Sequence, residues 1–90
     1  MGILGQIMEE AYYLVRGKDV DGKKQYLTVG PYGGYFHSGE TGGFTRFNYK
    51  DRAIEKMNTY AFAVSVEKVT FTGTIFSKDR QSKTVEVCRK

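Results

Sequence analysis

Apolar and polar positions follow two different periods along the chain, and together they predict strands, then a helix, then strands. Segments 11–16 (AYYLVR) and 24–29 (KQYLTV) are rich in aromatic and β-branched residues, which is typical of strands. The pair Asp21 and Gly22 between them suits a turn that needs positive φ. The two segments are therefore predicted to form a β-hairpin, with further short strands at 35–38 and 44–48.

The period changes to that of a helix after residue 48. The apolar positions that recur at helical spacing are Ala53, Ile54, Met57 and Tyr60 or Ala61. Asn48 is placed to cap the first turn, and Asp51 adds a favourable charge there three residues later. These signals predict a helix over 49–59.

Segment 61–76 returns to the strand pattern, but its apolar residues change parity. Phe62, Val64 and Val66 share one parity, whereas Val69, Phe71 and Ile75 share the other. An inversion near Glu67 and Lys68 indicates a β-bulge, or a strand whose burial changes along its length. After a polar loop, segment 84–88 (TVEVC) is predicted to return beside this strand.

The predicted fold is α+β. It has one domain over 1–90, an antiparallel sheet of four to five strands, and one helix packed on a face of the sheet in the order β-β-(β)-α-β-β. Ile3, Leu4, Ile7 and Met8 have helical spacing and predict a short N-terminal helical turn. The predicted core residues are Tyr12, Leu14, Leu27, Ile54, Met57, Phe62, Val64, Val66 and Phe71.

Segment 30–43 (GPYGGYFHSGETGG) has a different composition from the rest of the chain. It holds six of the eleven glycines, three aromatic residues, and the only proline and histidine. Glycine allows close approach of another surface, and tyrosine offers a broad contact area. Two interpretations stay open, a recognition loop or an Ω-loop packed on the core. The recognition hypothesis assigns partner binding to Tyr32, Tyr35, Phe36, Glu40 and Arg46.

Chemistry is harder to place in this segment. Gly34, Gly39 and Thr41 fit the outline of a phosphate-binding loop, but Glu40 stands where the lysine should be. His37 and Glu40 could offer two metal ligands without a compelling third. Ser38 would point away from His37 in a strand.

The only cysteine of the chain is Cys88, so no intramolecular disulfide can form. We therefore expect no metal, no cofactor and no enzymatic activity.

Charge supports an alternative function. The net charge is +4, and the stretch 77–90 carries five basic residues against two acids. Lys78, Arg80 and Lys83 form an alternative basic site that could bind nucleic acid. In FTRFNYK, strand alternation would place Phe47 in the core and Arg46 on the surface.

The sequence shows no membrane signal. No apolar run approaches the roughly 20 residues that span a bilayer. The start of the chain matches a myristoylation signal only at Gly2. We expect a cytoplasmic protein without a membrane partner.

Residues 11–69 resemble small proteins encoded by bacteriophages. The shared features are a hairpin ending in YLT, a glycine-containing turn, the spacing F-x-x-x-x-x-A at the start of a helix, and a closing valine-rich strand. Residues 69–90 depart from that pattern. The resemblance implies a non-enzymatic accessory protein that acts inside a bacterial host, where it binds and inhibits a host enzyme or defence system. Nucleic-acid or nucleotide binding through the basic hairpin and the tyrosines is the alternative.

Overall fold

The computed structural model describes residues 8–39, 42–73 and 81–90 of the chain. The elements are β1 (Met8–Gly17), β2 (Tyr26–Gly30), β3 (Gly33–His37), α1 (Lys50–Thr59), β4 (Ala63–Gly73) and β5 (Gln81–Arg89). The five strands form one antiparallel sheet in the order β3-β2-β1-β4-β5. Over the residues that the structure describes, the predicted α+β fold with an antiparallel sheet and one helix is confirmed. The predicted N-terminal turn lies outside the described residues except for Met8, which begins β1 instead.

The first hairpin closes as its turn residues predict. Asp21 and Gly22 have φ values of 52° and 77°, and backbone hydrogen bonds join Val20 and Lys23 in both directions. Two successive positive φ values are the geometry that matches the twist of paired strands. The second hairpin, between β2 and β3, turns through Pro31 and Tyr32. Residues 30–37 of the glycine-rich segment therefore belong to a short hairpin at the edge of the sheet.

The connection after β3 fills a gap between β1 and β2. These strands pair at Arg16 and Tyr26 and then diverge. The Thr45 N–H donates to the Leu27 carbonyl at 3.1 Å, and Phe47 exchanges backbone hydrogen bonds of 2.8 and 2.9 Å with Tyr13. The prediction of a strand over 44–48 is wrong, because only Phe47 pairs, as an isolated bridge.

Helix α1 packs on one face of the sheet through Ala53 and Met57, both buried. It starts one residue later than predicted. The N-cap is Tyr49, whose side chain makes no capping hydrogen bond, so the prediction that Asn48 caps the helix is wrong. Asp51 does lie in the first turn, where a negative charge is favourable for the helix dipole.

The core between α1 and the sheet is built by Val15, Leu27, Ala53, Met57, Ala63 and Val66. Of the predicted core residues, Leu14, Leu27, Met57 and Val66 are buried, whereas Tyr12, Ile54, Val64 and Phe71 are only partly buried. Phe62 is wrongly predicted, since it is 72% exposed. The physical reason is a register shift, in which Gly17 opposes Ala63 and Arg16 opposes Ser65. Val64 is the extra residue there, so the alternation does not extend back to Phe62.

A second irregularity lies near the parity inversion of β4, but its extra residue belongs to the neighbouring strand β5. Val66 opposes Cys88, and Glu67 opposes Glu86, so Val87 is an extra residue on β5. The shift falls between Val66 and Glu67, and it does not itself reverse the alternation of β4. Glu67 is buried, and so is Ser65, which lies two residues before it on β4. The final strand returns beside β4, as predicted.

Candidate functional site

The apolar residues of the second hairpin, the first turn and the end of α1 meet at one edge of the sheet. They border a cavity of about 390 Å³ lined by Lys18, Val20, Gln25, Gly34, Tyr35, Phe36, Tyr60 and Phe62. We call this cavity the edge groove. Val20, Tyr35 and Phe62 each expose more than half of their surface. Large apolar side chains that are clustered and exposed are unusual on a monomer unless they bind something.

The floor of the edge groove is closely packed. The rings of Phe36 and Tyr60 meet edge to face with centroids 6.4 Å apart. A Cβ atom at Gly17 would lie 2.6 Å from the Phe36 ring, and one at Gly34 would lie 2.7 Å from the Tyr60 hydroxyl oxygen. Glycine is needed at both positions because any side chain would displace these rings. The groove is therefore preformed by backbone and rings together.

The structure brings together only part of the partner site predicted from sequence. Tyr35 and Phe36 line the edge groove, and Tyr32 is fully exposed at the hairpin turn beside Gly33. Arg46 does not line the groove; its guanidinium lies 4.6 Å from the centre of the Tyr12 ring, as a cation–π pair. The predicted Glu40 lies outside the described residues.

Sequence reasoning missed Val20 and Phe62. Phe62 was assigned to the core because it shares the parity of Val66, and Val20 lies in a polar turn. The sequence did offer one signal for Val20, which is a single apolar residue between the polar pairs KD and DG. No signal in the sequence revealed the register shift that exposes Phe62.

The alternative basic site is described only at Lys83, which is exposed in β5. Lys78 and Arg80 lie outside the described residues. A second, more polar cleft of about 630 Å³ is lined by four cations, Arg16, Lys18, Arg89 and Lys90, and by two acids, Asp19 and Glu86. Arg16 pairs with Asp19 at 2.7 Å and Arg89 with Glu86 at 3.3 Å. These ion pairs reduce the positive field of the cleft.

Arg16, which lines this cleft, also forms a network with Tyr26 and Glu67. Tyr26 donates to one carboxylate oxygen of Glu67 at 2.5 Å, and Arg16 donates to the other at 3.1 Å. Burial, and then the hydrogen bond to Glu67, raise the pKa of Tyr26. The hydrogen bond with Asp19 is the largest cause of a raised Arg16 pKa. Because Arg16, Tyr26 and Glu67 lie on different strands, the network joins β1, β2 and β4.

His37 anchors the loop that follows β3. The Gly39 N–H donates to Nδ1 at 3.1 Å, so we assign the ring proton to Nε2. Nε2 then donates to the Thr28 hydroxyl at 2.6 Å, and that hydroxyl donates to the Gly43 carbonyl at 3.0 Å. The His37 ring also contacts Tyr35 and Phe44. Both ring nitrogens are used to hold the loop.

The two phenylalanine rings of the segment FTRFNYK pack against other residues of the protein and do not form an exposed surface on which nucleic-acid bases could stack. Phe47 packs against the core, and Arg46 is exposed, as alternation predicts. Phe44 contacts the rings of Tyr26 and His37, with centroid distances of 4.7 and 4.9 Å. The structure therefore uses these rings to pack the loop onto the sheet.

No cluster of three metal-ligating side chains occurs within the described ranges. Among those same residues, no helix is long and apolar enough to cross a membrane. Comparison of the chain with protein-family models, with curated proteins and with solved structures finds no match. Function must therefore be argued from the geometry of the molecule.

Proposed function

We infer that the chain is a small non-enzymatic binding protein that acts by contact with another protein, and that the edge groove is the centre of its interface. The observation that carries this proposal is the cluster of Val20, Tyr35 and Phe62, each more than half exposed, around a cavity floored by Phe36 and Tyr60. Exposed rings beside a preformed pocket are the usual composition of an interface hot spot.

The proposal agrees in kind with the resemblance of residues 11–69 to bacteriophage accessory proteins. In that setting the partner would be a host enzyme or a component of a defence system, and binding would inhibit it inside the bacterial cytoplasm. The phage origin and the inhibition are further proposals, because the groove supports a protein contact without specifying its consequence.

The first experiment tests the groove with a matched control. The tagged chain is used to capture proteins from bacterial lysate, with and without nuclease, and the captured protein is then purified and titrated. Phe62→Ala is compared with Tyr49→Ala, because both rings are 72% exposed and only Phe62 lines the groove. We expect Phe62→Ala to weaken binding by about 1–3 kcal/mol and Tyr49→Ala to leave it unchanged.

The same titration separates the groove from the other predicted residues. Tyr35→Ala and Val20→Ser should weaken the complex, whereas Arg46→Ala should not, because Arg46 packs on Tyr12 away from the groove lining. Circular dichroism controls for folding. Equal affinities of the Phe62 and Tyr49 variants would refute the groove as the interface, as would a captured complex that nuclease destroys.

Nucleic-acid binding is the second candidate. The observation in its favour is the cleft lined by Arg16, Lys18, Arg89 and Lys90. Two of these four cations are already paired with acids of the same cleft, so we rank it second. It predicts binding that weakens steeply as salt rises, because contacts to phosphates release counterions.

A further inference from the structure

The outer edge of β3 borders the edge groove, and its backbone groups can be assigned a direction. On β2, the Leu27 carbonyl accepts from Thr45, and the Val29 N–H donates to the Thr45 hydroxyl at 2.8 Å. Both residues thus direct their backbone groups away from β3. Strand pairing alternates, so the backbone groups that bond β3 are those of Tyr26, Thr28 and Gly30.

The register then fixes which residues of β3 face outward. Tyr26, Thr28 and Gly30 oppose His37, Tyr35 and Gly33, respectively. The two residues left between them are Gly34 and Phe36, and their N–H and C=O groups point away from β2. Within the described ranges, β3 is the terminal strand of the sheet on this side.

The same two residues line the edge groove. Gly34 and Phe36 border the cavity together with Val20, Tyr60 and Phe62. A strand that paired with β3 would run alongside this cavity, and its side chains would alternate between the two faces of the sheet. One apolar side chain of that strand would therefore enter the groove while its backbone forms hydrogen bonds with the N–H and C=O groups of Gly34 and Phe36.

We propose that the partner binds as an extended segment added to the sheet at β3, paired through the backbone of Gly34 and Phe36, with an apolar side chain in the edge groove. This mode of recognition takes affinity from main-chain hydrogen bonds and specificity from pockets beside the edge. The proposal rests on the proposed function and specifies the form of the partner.

An extended segment fits the edge better than a second copy of the chain does. β3 has five residues, and two of them, Gly33 and Gly34, contribute no side chain to an interface. Two such edges offer few side chains toward the roughly 1,200–2,000 Å² that a stable protein–protein interface buries. A peptide segment takes its affinity from main-chain hydrogen bonds along the edge and places a side chain in the edge groove, so it depends less on the side chains of β3.

The test uses a random peptide library displayed on a carrier and selected against the immobilised chain. Amide hydrogen exchange of the labelled chain is followed by NMR with and without the synthesised winning peptide. In the free chain, the amides of Gly34 and Phe36 should exchange faster than those of Tyr35 and His37. The peptide should slow exchange at Gly34 and Phe36 by about tenfold or more.

A backbone variant provides the decisive comparison. N-methylation of Phe36, introduced by chemical ligation, removes the outward donor without changing a side chain. The control is N-methylation of Asp51 in the first turn of α1, where the N–H has no acceptor within the helix. We expect the Phe36 variant to lose about tenfold or more in peptide affinity and the Asp51 variant to bind normally.

Three results would overturn the proposal: no enriched peptide, peptides that leave exchange at Gly34 and Phe36 unchanged, or normal binding by the N-methylated Phe36 chain. Dimerisation of the free chain with slowed exchange at these amides would instead assign the edge to a second copy. A captured protein that requires Phe62 but leaves both amides unprotected would overturn strand addition while sustaining the proposed function.

Discussion

At the scale of single residues, the least expected feature is a buried carboxylate in the middle of β4. Glu67 is only 4% exposed, and its oxygens accept hydrogen bonds from Tyr26 and Arg16. Buried charges are tolerated only when they are paired. Its position in AFAVSVEKVTF is that of an ordinary polar interruption, so sequence reasoning could not separate it from a solvated residue.

The Tyr26 hydroxyl should therefore contribute measurably to stability. Tyr26→Phe removes one of the two donors to Glu67, and we expect the free energy of unfolding in urea to fall by about 1–2 kcal/mol. Tyr49→Phe is the control, because Tyr49 is a largely exposed tyrosine. A loss no larger than that of the control would mean that the Tyr26–Glu67 hydrogen bond is not maintained in solution.

The same hydroxyl predicts how stability depends on alkaline pH. Its pKa is raised in the folded state above the ordinary value of 10.0, first by burial and then by Glu67. Above that value the unfolded chain loses the phenolic proton while the folded chain keeps it, so stability falls as the pH rises. Urea unfolding across this range should show a smaller fall for Tyr26→Phe than for the wild type. Equal slopes would contradict the raised pKa.

Two glycines of the second hairpin make a matched pair for substitution. A Cβ at Gly34 would lie 2.7 Å from the Tyr60 hydroxyl and 2.9 Å from Leu27, whereas one at Gly30 would lie 3.8 Å from its nearest neighbour. We expect Gly34→Ala to destabilise the chain by about 1–3 kcal/mol through overpacking and Gly30→Ala to change stability little. Similar thermal melts for both variants would show that Tyr60 and Leu27 move aside at little energetic cost.

At the scale of elements, periodicity was informative where an element is regular and failed where pairing is local. The hairpin turn, α1 and the return of β5 follow from spacing and from Asp21-Gly22. Segment 44–48 has strand composition, yet it serves as a spacer between diverging strands and pairs only at Phe47. The gap that it fills is a tertiary feature, which no local pattern encodes.

The error at Phe62 has the same origin. One extra residue, Val64, reverses the alternation between β4 and the turn before it. The second irregularity adds Val87 to β5 and leaves the alternation of β4 unchanged. The parity change in β4 instead accompanies burial of both faces at Ser65, Val66 and Glu67. At Val64 the neighbours on both sides are small, so a shift of register changes little in the visible pattern.

The helix provides the clearest test of packing between elements. Met57 is 2% exposed, whereas Ile54 is only partly buried. We expect Met57→Ala to lower the free energy of unfolding by about 2–5 kcal/mol, the usual cost at a fully buried position. Ile54→Ala would have this cost only if Ile54 were fully buried. Ile54→Ala should cost less, and Asn58→Ala, at an exposed position, should stay within about 0.5 kcal/mol. Urea titrations that reverse the order of Met57 and Ile54 would mean that α1 is rotated on the sheet.

At the scale of the whole molecule, the candidate site was only half predictable. The glycine-rich segment identified Tyr35 and Phe36 because composition reveals where rings and flexible backbone coincide. Val20 and Phe62 join them only through the fold, which brings the first turn and the end of α1 to the same edge of the sheet. Arg46 was assigned to the site by nearness in sequence, but its chain segment leads to Tyr12.

The overall charge of +4 supplies a whole-molecule test that separates the two candidate functions. An interface centred on an apolar groove depends weakly on salt, whereas contacts to phosphates release counterions and weaken steeply as salt rises. We expect the captured protein complex to keep its affinity, within a few-fold, between low and physiological salt. Fluorescence anisotropy with a labelled single-stranded oligonucleotide measures the rival ligand under the same conditions.

Charge reversal completes that test. A variant with Lys78→Glu, Arg80→Glu and Lys83→Glu is compared with one carrying Lys24→Glu, Lys50→Glu and Arg52→Glu, which changes the net charge equally at other positions. If the protein contact is the function, both variants bind the partner like the wild type, because an interface centred on an apolar groove depends weakly on charge and Lys24, Lys50, Arg52 and Lys83 do not line the edge groove. Tight oligonucleotide binding that falls steeply with salt would instead support the nucleic-acid function. Loss in only the first variant would assign that binding to Lys78, Arg80 and Lys83, and retention by both variants would assign it to the cleft lined by Arg16, Lys18, Arg89 and Lys90.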